Sequence, residues 1–145
     1  MAEVVVLKTG PDLIPGFEAS DSEAEEVGQR ELHPVHAIHE LSPYSLLLVS
    51  LAECTAILLH TYARNHNVPL QQVELRLTYA RAFAADCKDC EKNNLYTERI
   101  DAEVGLVGDL PPAERNKLFL IAKHCPVHKI LHNGIRTEFR LAGKG

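Results

Sequence analysis

The chain has no tryptophan and few other aromatics, 4 Tyr and 4 Phe among 145 residues, so no stacking platform for nucleic-acid bases is visible. Basic runs are absent too: 15 Lys+Arg stand against 20 Asp+Glu, a formal charge of -5. Nucleic acid and anionic membrane both need concentrated basic surface, so neither is expected as a partner. The longest apolar run, residues 46–59, falls short of the ~20 residues that span a bilayer and is interrupted by Glu53. The opening MAEVVVLKTG lacks the basic n-region and small-residue cleavage site of a signal peptide. A soluble, cytoplasmic protein is the expectation. Cysteine is scarce as well. Four in a chain of 145 residues are too few for a disulfide scaffold, and one compact domain of that length buries a core without one. In a reducing compartment such thiols are reactive, metal-bound or inert.

What is present reads as an α+β class protein in a single domain over residues 1–145. Residues 3–8, EVVVLK, form a β-branched strand ended by Gly10-Pro11, and Pro15-Gly16 punctuates the next stretch. Residues 18–26 are acidic and read as a solvated loop or hairpin tip. Residues 31–40 hold a short strand that Pro34 confines to an edge. Ser42 can cap a helix and Pro43 suits its first position, where a missing N–H costs nothing. That helix, residues 43–66, is apolar almost all the way round in its first turns, as a buried central helix is. Residues 73–79 alternate strictly as a half-buried strand, and residues 96–106 read as its partner. A second helix over 112–124 marks its buried side with Leu118, Leu120, Ile121 and Ala122. Pro126 breaks it, a short helix runs over 126–132 to Asn133-Gly134, and residues 135–141 close the chain as a strand.

Two cysteines occupy settings where a thiol can react. Cys54 lies mid-helix in LLLVSLAECTAILL, where its bland role is that of a small hydrophobe. Cys125 precedes Pro126 at a helix start, where backbone N–H groups and the helix dipole favour a thiolate; Lys123, His124 and His128 can add positive charge. On local chemistry Cys125 is the lower-pKa thiol. Cys87 and Cys90 form C-x-x-C, the spacing of half a zinc site, and Cys125 with His128 can supply the other half. Glu53 is the odd residue of the apolar helix. Its charge beside Cys54 can raise that thiol's pKa, and a buried carboxylate needs a cation such as Arg81 or a histidine of a second chain. His33, His36 and His39 are read as solvated, with a second metal site on the HPVHAIH stretch as the alternative.

The motifs, taken together, resemble one branch of the OsmC/Ohr family. They are Ser42-Pro43-Tyr44-Ser45-Leu46-Leu47-Leu48 running into Leu51-Ala52-Glu53-Cys54-Thr55, then Asp86-Cys87-Lys88-Asp89-Cys90-Glu91, Gly108-Asp109-Leu110 and Cys125-Pro126-Val127-His128. They run in order across roughly residues 42–141. The resemblance implies an OsmC-like fold with a long central helix packed against antiparallel sheet, in an intertwined homodimer. It also implies thiol-dependent reduction of small-molecule, often organic, hydroperoxides in oxidative-stress defence, without a cofactor and reset by a dithiol reductant. By analogy Cys54 is the peroxide-attacking thiol and Cys125 the resolving one, with Arg30 and His128 as tuning residues. The family's activating Glu near the start of the central helix has no counterpart: Tyr44 stands there, Ser45 follows, and Ala52-Glu53 replaces the Gly-Ala of relatives. Two alternatives remain open: a zinc-stabilised binding protein on the same fold using Cys87, Cys90, Cys125 and His128, and a fold relative without activity.

Overall fold

The computed structural model describes residues 2–20, 31–83 and 96–143. The elements run β1 (Ala2–Thr9), β2 (Pro15–Ser20), β3 (Leu32–Pro34), a 3-10 turn (Ile38–Glu40), α1 (Pro43–Asn65), β4 (Leu70–Phe83), β5 (Tyr96–Gly108), α2 (Pro112–Ala122) and α3 (Pro126–Asn133). The strands form one antiparallel sheet in the order β3-β2-β1-β4-β5. This is the α+β architecture expected, a long helix laid on an antiparallel sheet.

Register explains the core. Val5 pairs with Leu77, Leu7 with Leu75, and these in turn with Ala102 and Val104, so the apolar parity of three strands falls on one face. Against that face α1 sets Leu48, Leu51, Ala52, Ala56 and Leu59, all buried. β1 is central and buried on both parities, with Lys8 its one exposed residue. α2 and α3 lie against α1 rather than the sheet.

Ser42 caps α1 as its sequence requires, its hydroxyl accepting the Ser45 N–H at 3.0 Å. Part of the helix stays uncovered: Leu47 and Ile57 on its flank are exposed. At 23 residues it is long and apolar enough to cross a membrane by length and composition alone, which the interrupted apolar run conceals; it is nevertheless the core helix of the sheet.

Four expectations need correction. Residues 15–20 are a strand, not punctuation and loop, because Phe17 and Ala19 face Leu7 and Val5 across the ladder. β4 runs to Leu70–Phe83, twice the expected length, passing a bulge between Leu70 and Gln72. In α2 only Leu118 and Ala122, four apart, are buried; Leu120 lies about 200° round the helix from Leu118 and is exposed. Residues 135–141 form no strand, and Phe139 and Leu141 are 94% and 100% exposed.

Candidate functional site

The site arises where α1 passes the break between α2 and α3. α2 ends at Ala122, and Pro126, which cannot continue the previous helix, starts α3 with Cys125 as its N-cap. That break turns the Cys125 side chain into the core, fully buried against α1. From α1, Cys54 meets it. Both are free thiols, and they are neighbours, each perturbing the other's ionisation. Cys54 is half-buried, so of the two it is the one a solute can reach.

Neutral groups set the electrostatics. Burial pushes the Cys125 thiol up, but the Cys54 S–H, the His128 amide, the Thr55 hydroxyl and the Val127 amide outweigh it, so its pKa falls below the ordinary thiol value. As a neutral thiol Cys125 makes no capping hydrogen bond; the amides act once it is a thiolate. Cys54 shifts the other way, raised by burial and then by its hydrogen bond to Cys125, with partial relief from the Val127 amide. Once ionised, the pair shares one proton, and the opposite shifts favour the negative charge on Cys125.

The expected charged contributors act differently. What His128 gives Cys125 is its backbone amide. Its ring Nδ1–H donates to the Lys123 carbonyl at 3.0 Å, which leaves Nε2 free. The Lys123 ammonium lies over the Phe119 ring, 4.8 Å from its centroid. Glu53 is half-buried and reaches solvent, and the rise at Cys54 comes from burial and Cys125 rather than from it. Consecutive helical residues point about 100° apart, which removes Glu53 from the sulfur it neighbours in sequence.

Two cavities are lined by sequence neighbours of the pair, Leu51 and Thr55 on α1 and His128 on α3, and by neither cysteine itself. One of about 190 Å³ is largely apolar, lined by Leu51, Thr55, Leu77, Phe119, Ala122 and His128 among others. A second, open and about 610 Å³, shares Leu51, Ala102 and His128 with it and extends to Tyr44, Tyr79, Glu98 and His132. There Tyr44 stacks on Tyr79 at 4.7 Å, and the Tyr79 hydroxyl donates to Glu98 at 2.6 Å. Burial and that carboxylate raise the Tyr79 pKa far above the usual phenol value, so it stays a donor.

Other predicted residues fall elsewhere. Arg30, Cys87 and Cys90 lie outside the described residues. Among the described residues no group of three or more His, Cys, Asp and Glu is arranged to hold a metal ion. His33, His36 and His39 are exposed. Sequence reasoning missed Glu3 and Thr55. Glu3 is 2% exposed on β1 and accepts hydrogen bonds from the Ser42 and Ser45 hydroxyls, the latter at 2.9 Å, so a carboxylate from the sheet stands at the start of α1, where Tyr44 and Ser45 supply none. Its signal was parity, since it shares a face with Val5 and Leu7.

These features define a class: an α+β protein whose long central helix carries one thiol against a second thiol at a helix N-terminus. The chain matches the family model described as OsmC-like protein over residues 36–140, and it belongs to the OsmC-like family. An OsmC-like hydroperoxide resistance protein from Jannaschia sp. CCS1 shares the fold, with TM-score 0.66 and 15% identity over 98% of this chain and 93% of that one. An OsmC-like protein from Mycoplasma pneumoniae has TM-score 0.47 and 14% identity over 89% of this chain and 86% of that one. No curated protein sequence matches.

Proposed function

We propose that this protein is a cofactor-independent thiol peroxidase that reduces organic hydroperoxides through Cys54 and Cys125. The observation that carries the reading is that Cys54 and Cys125 are neighbours that perturb each other's ionisation, with an apolar cavity lined by Thr55 and His128, residues close to them in the chain. Family membership supports it, as does a structural neighbour described as a hydroperoxide resistance protein.

The chemistry follows from the shared proton. Cys54, the accessible thiol, passes its proton to the Cys125 thiolate and attacks the terminal oxygen of ROOH. An S–O bond forms, the O–O bond breaks, and the alkoxide leaves with the electron pair. The alkoxide takes a proton from solvent, in a site where the His128 ring lines both cavities. Cys54 is now a sulfenic acid. Cys125 attacks its sulfur, the S–S bond forms, and the departing hydroxide takes the Cys125 proton as water. An external dithiol then reduces the disulfide by exchange, in the reducing cytoplasm where we place the protein.

The working unit in this proposal is a homodimer. The exposed flank of α1, Ile130 and Leu131 of α3, and the tail residues Ile135, Phe139 and Leu141 supply apolar surface that one chain leaves uncovered. The tail forms no strand in the single chain, yet its side chains are sorted by parity. Arg136 and Arg140 both pair with Glu138, at 2.7 and 3.0 Å, on the parity opposite the apolar residues. Its place is against the sheet of a second copy.

The test is peroxide consumption in the presence of a dithiol, comparing wild type with Cys54→Ser and Cys125→Ser. Turnover is expected to vanish in Cys54→Ser. In Cys125→Ser it is expected to stop after one equivalent, with a trappable sulfenic acid at Cys54. Equal rates in all three proteins sink the enzymatic reading.

A further inference from the structure

The second half of α1 carries three polar side chains that the fold does not use up. His60 is 5% exposed, and its Nε2 lies 3.0 Å from the Thr9 carbonyl. A carbonyl only accepts, so Nε2 carries the proton, and in the neutral ring Nδ1 is a bare acceptor. Among the described residues Nδ1 has no hydrogen-bond partner. It is not sealed in, because among those residues the Glu114 Oε2 is the one fully enclosed side-chain polar atom left unsatisfied. Nδ1 therefore opens on the cavity that its ring lines. Thr61 has the same option as Thr55, which bonds back to the Leu51 carbonyl, yet its hydroxyl makes no bond among the described residues. Arg64, in the last turn of α1, makes no ion pair among them either.

All three line one cavity of about 250 Å³. His60 and Arg64 are four apart and Thr61 and Arg64 three apart, so helix geometry sets them side by side. Leu13 of the β1–β2 turn, with Val68 and Leu70 after α1, walls much of the rest. Two non-glycine residues among those described have left-handed backbone, Leu13 at φ 61° and Asn67 at φ 54°, and they stand in these two segments. Asparagine tolerates that region; leucine is strained there, and what it supplies in return is an apolar wall. The cavity is separate from the thiols. His60 lies about 9 Å along α1 from Cys54 and about 120° round it, and no lining residue is shared with the two cavities near the pair.

An acceptor, a hydroxyl and a cation define what fits between them. Nδ1 takes a donor, which an O–H supplies. Arg64 takes an anion, and the Thr61 hydroxyl can donate to the same group. A carboxylate suits better than a phosphate: one charge matches one guanidinium, whereas a dianion leaves excess charge near the negative end of the α1 dipole. The three groups sit within about one helical turn, so hydroxyl and carboxylate must be close together on the ligand. The volume lies below the ~300–1,000 Å³ of pockets for drug-sized molecules, so the occupant is small. We infer that this cavity binds a short-chain 2-hydroxycarboxylate. Its hydroxyl donates to the His60 Nδ1, its carboxylate takes Arg64 and Thr61, and its alkyl group lies on Leu13, Val68 and Leu70. The site stands on its own residues, apart from the peroxidase reading.

The experiment titrates reduced full-length protein with 2-hydroxy-3-methylbutanoate and follows the imidazole 15N resonances of His60, assigned by their loss in His60→Gln. Should that variant fail to fold, they are assigned through the α1 backbone. Nδ1 is expected to move and Nε2 to stay, with a Kd of about 1 mM. 3-Methylbutanoate, which lacks the hydroxyl, and the uncharged amide of the hydroxy acid are each expected to bind at least about tenfold more weakly. Arg64 is exposed, so Arg64→Gln should fold, and it is expected to weaken binding of the hydroxy acid by about tenfold or more. An Nδ1 that does not move up to about 20 mM overturns the inference, whether the cavity holds only water or is filled by a second copy of the chain. Equal binding of the deoxy acid overturns it too, as does an Arg64→Gln variant that binds like wild type. Inorganic phosphate that shifts Nδ1 as strongly overturns the choice of carboxylate. None of these readouts needs turnover, so failure of the peroxidase reading leaves the site standing.

Discussion

Glu3→Ala is the severest test of how α1 is held. The carboxylate is 2% exposed and accepts from the hydroxyls of Ser42 and Ser45, while the Ser42 oxygen in turn accepts the Ser45 N–H. Alanine removes a charged acceptor from two hydroxyls, worth about 1.5–3 kcal/mol each. It also removes a negative charge from a helix N-terminus, worth about 0.3–1 kcal/mol. The desolvation of a buried carboxylate, several kcal/mol in its own right, is relieved at the same time and cancels part of that loss. The net expectation is a destabilisation of about 2–4 kcal/mol, or a fall in Tm of about 5–12 °C for a chain of this size. Glu3→Gln keeps an oxygen acceptor and loses the charge, so about half the effect is expected. Urea unfolding followed by far-UV circular dichroism measures it, at one fixed protomer concentration because association shifts apparent stability. Ser45→Ala combined with Glu3→Ala closes a double-mutant cycle, with a coupling of at least about 0.5 kcal/mol expected. Two variants each within about 0.5 kcal/mol of wild type, a shift typical of surface substitutions, refute the claim that this carboxylate anchors the helix.

Two further outcomes follow from the thiols and the tail. Cys125, lowered in the folded state, contributes stability above its unfolded value of about 8.5 and loses it as pH falls through its folded value. Cys54, raised, contributes below about 8.5 and loses its share as pH climbs through its folded value. The stability difference between reduced wild type and the Cys54→Ser/Cys125→Ser double variant should therefore peak near pH 8.5, and a difference flat from about pH 6 to 10 contradicts the shared-proton pair. Deleting the residues after Gly134 removes Ile135, Phe139 and Leu141, exposed by 70%, 94% and 100% in the single chain. At about 1.5–3 kcal/mol per buried side chain the three residues of each tail supply about 4.5–9 kcal/mol, so even after the costs of association the dimer should dissociate at least about a thousandfold more readily. Sedimentation equilibrium reads this. A wild type that stays monomeric at every concentration, or a truncated chain as dimeric as wild type, rules out tail exchange.

Much of the scaffold was legible because its signals are local. Ser42-Pro43 announces the start of α1 by capping chemistry, and strict alternation announces β4. β2 was hidden because Pro15, Gly16 and Glu18 read as turn residues; only the ladder with β1, Phe17 opposite Leu7 and Ala19 opposite Val5, makes them a strand. The tail fails in the opposite sense. Its alternation is real and its side chains are sorted by face, but among the described residues no strand of its own chain pairs with it.

The site was legible as two cysteines in two settings and not as a contact, since nothing local says that the break after α2 turns Cys125 onto α1. The errors of electrostatics share one cause. Reading a sequence weights formal charges, so Lys123, His128 and Glu53 drew attention as the groups that would tune the sulfurs. In the folded chain the first cation is spent on an aromatic ring, the imidazole on a carbonyl, and the carboxylate on solvent. Two amides, one hydroxyl and one thiol set the charge instead, because in a buried site a short hydrogen bond from a fixed dipole outweighs a mobile charge that water can screen. A motif records such groups only as an unremarkable threonine after a cysteine and a proline after another. On this argument Lys123→Gln should leave the Cys125 titration, read from its 13Cβ resonance in reduced protein, where it is; a midpoint that moves by about one pH unit would return the control of the pair to formal charge.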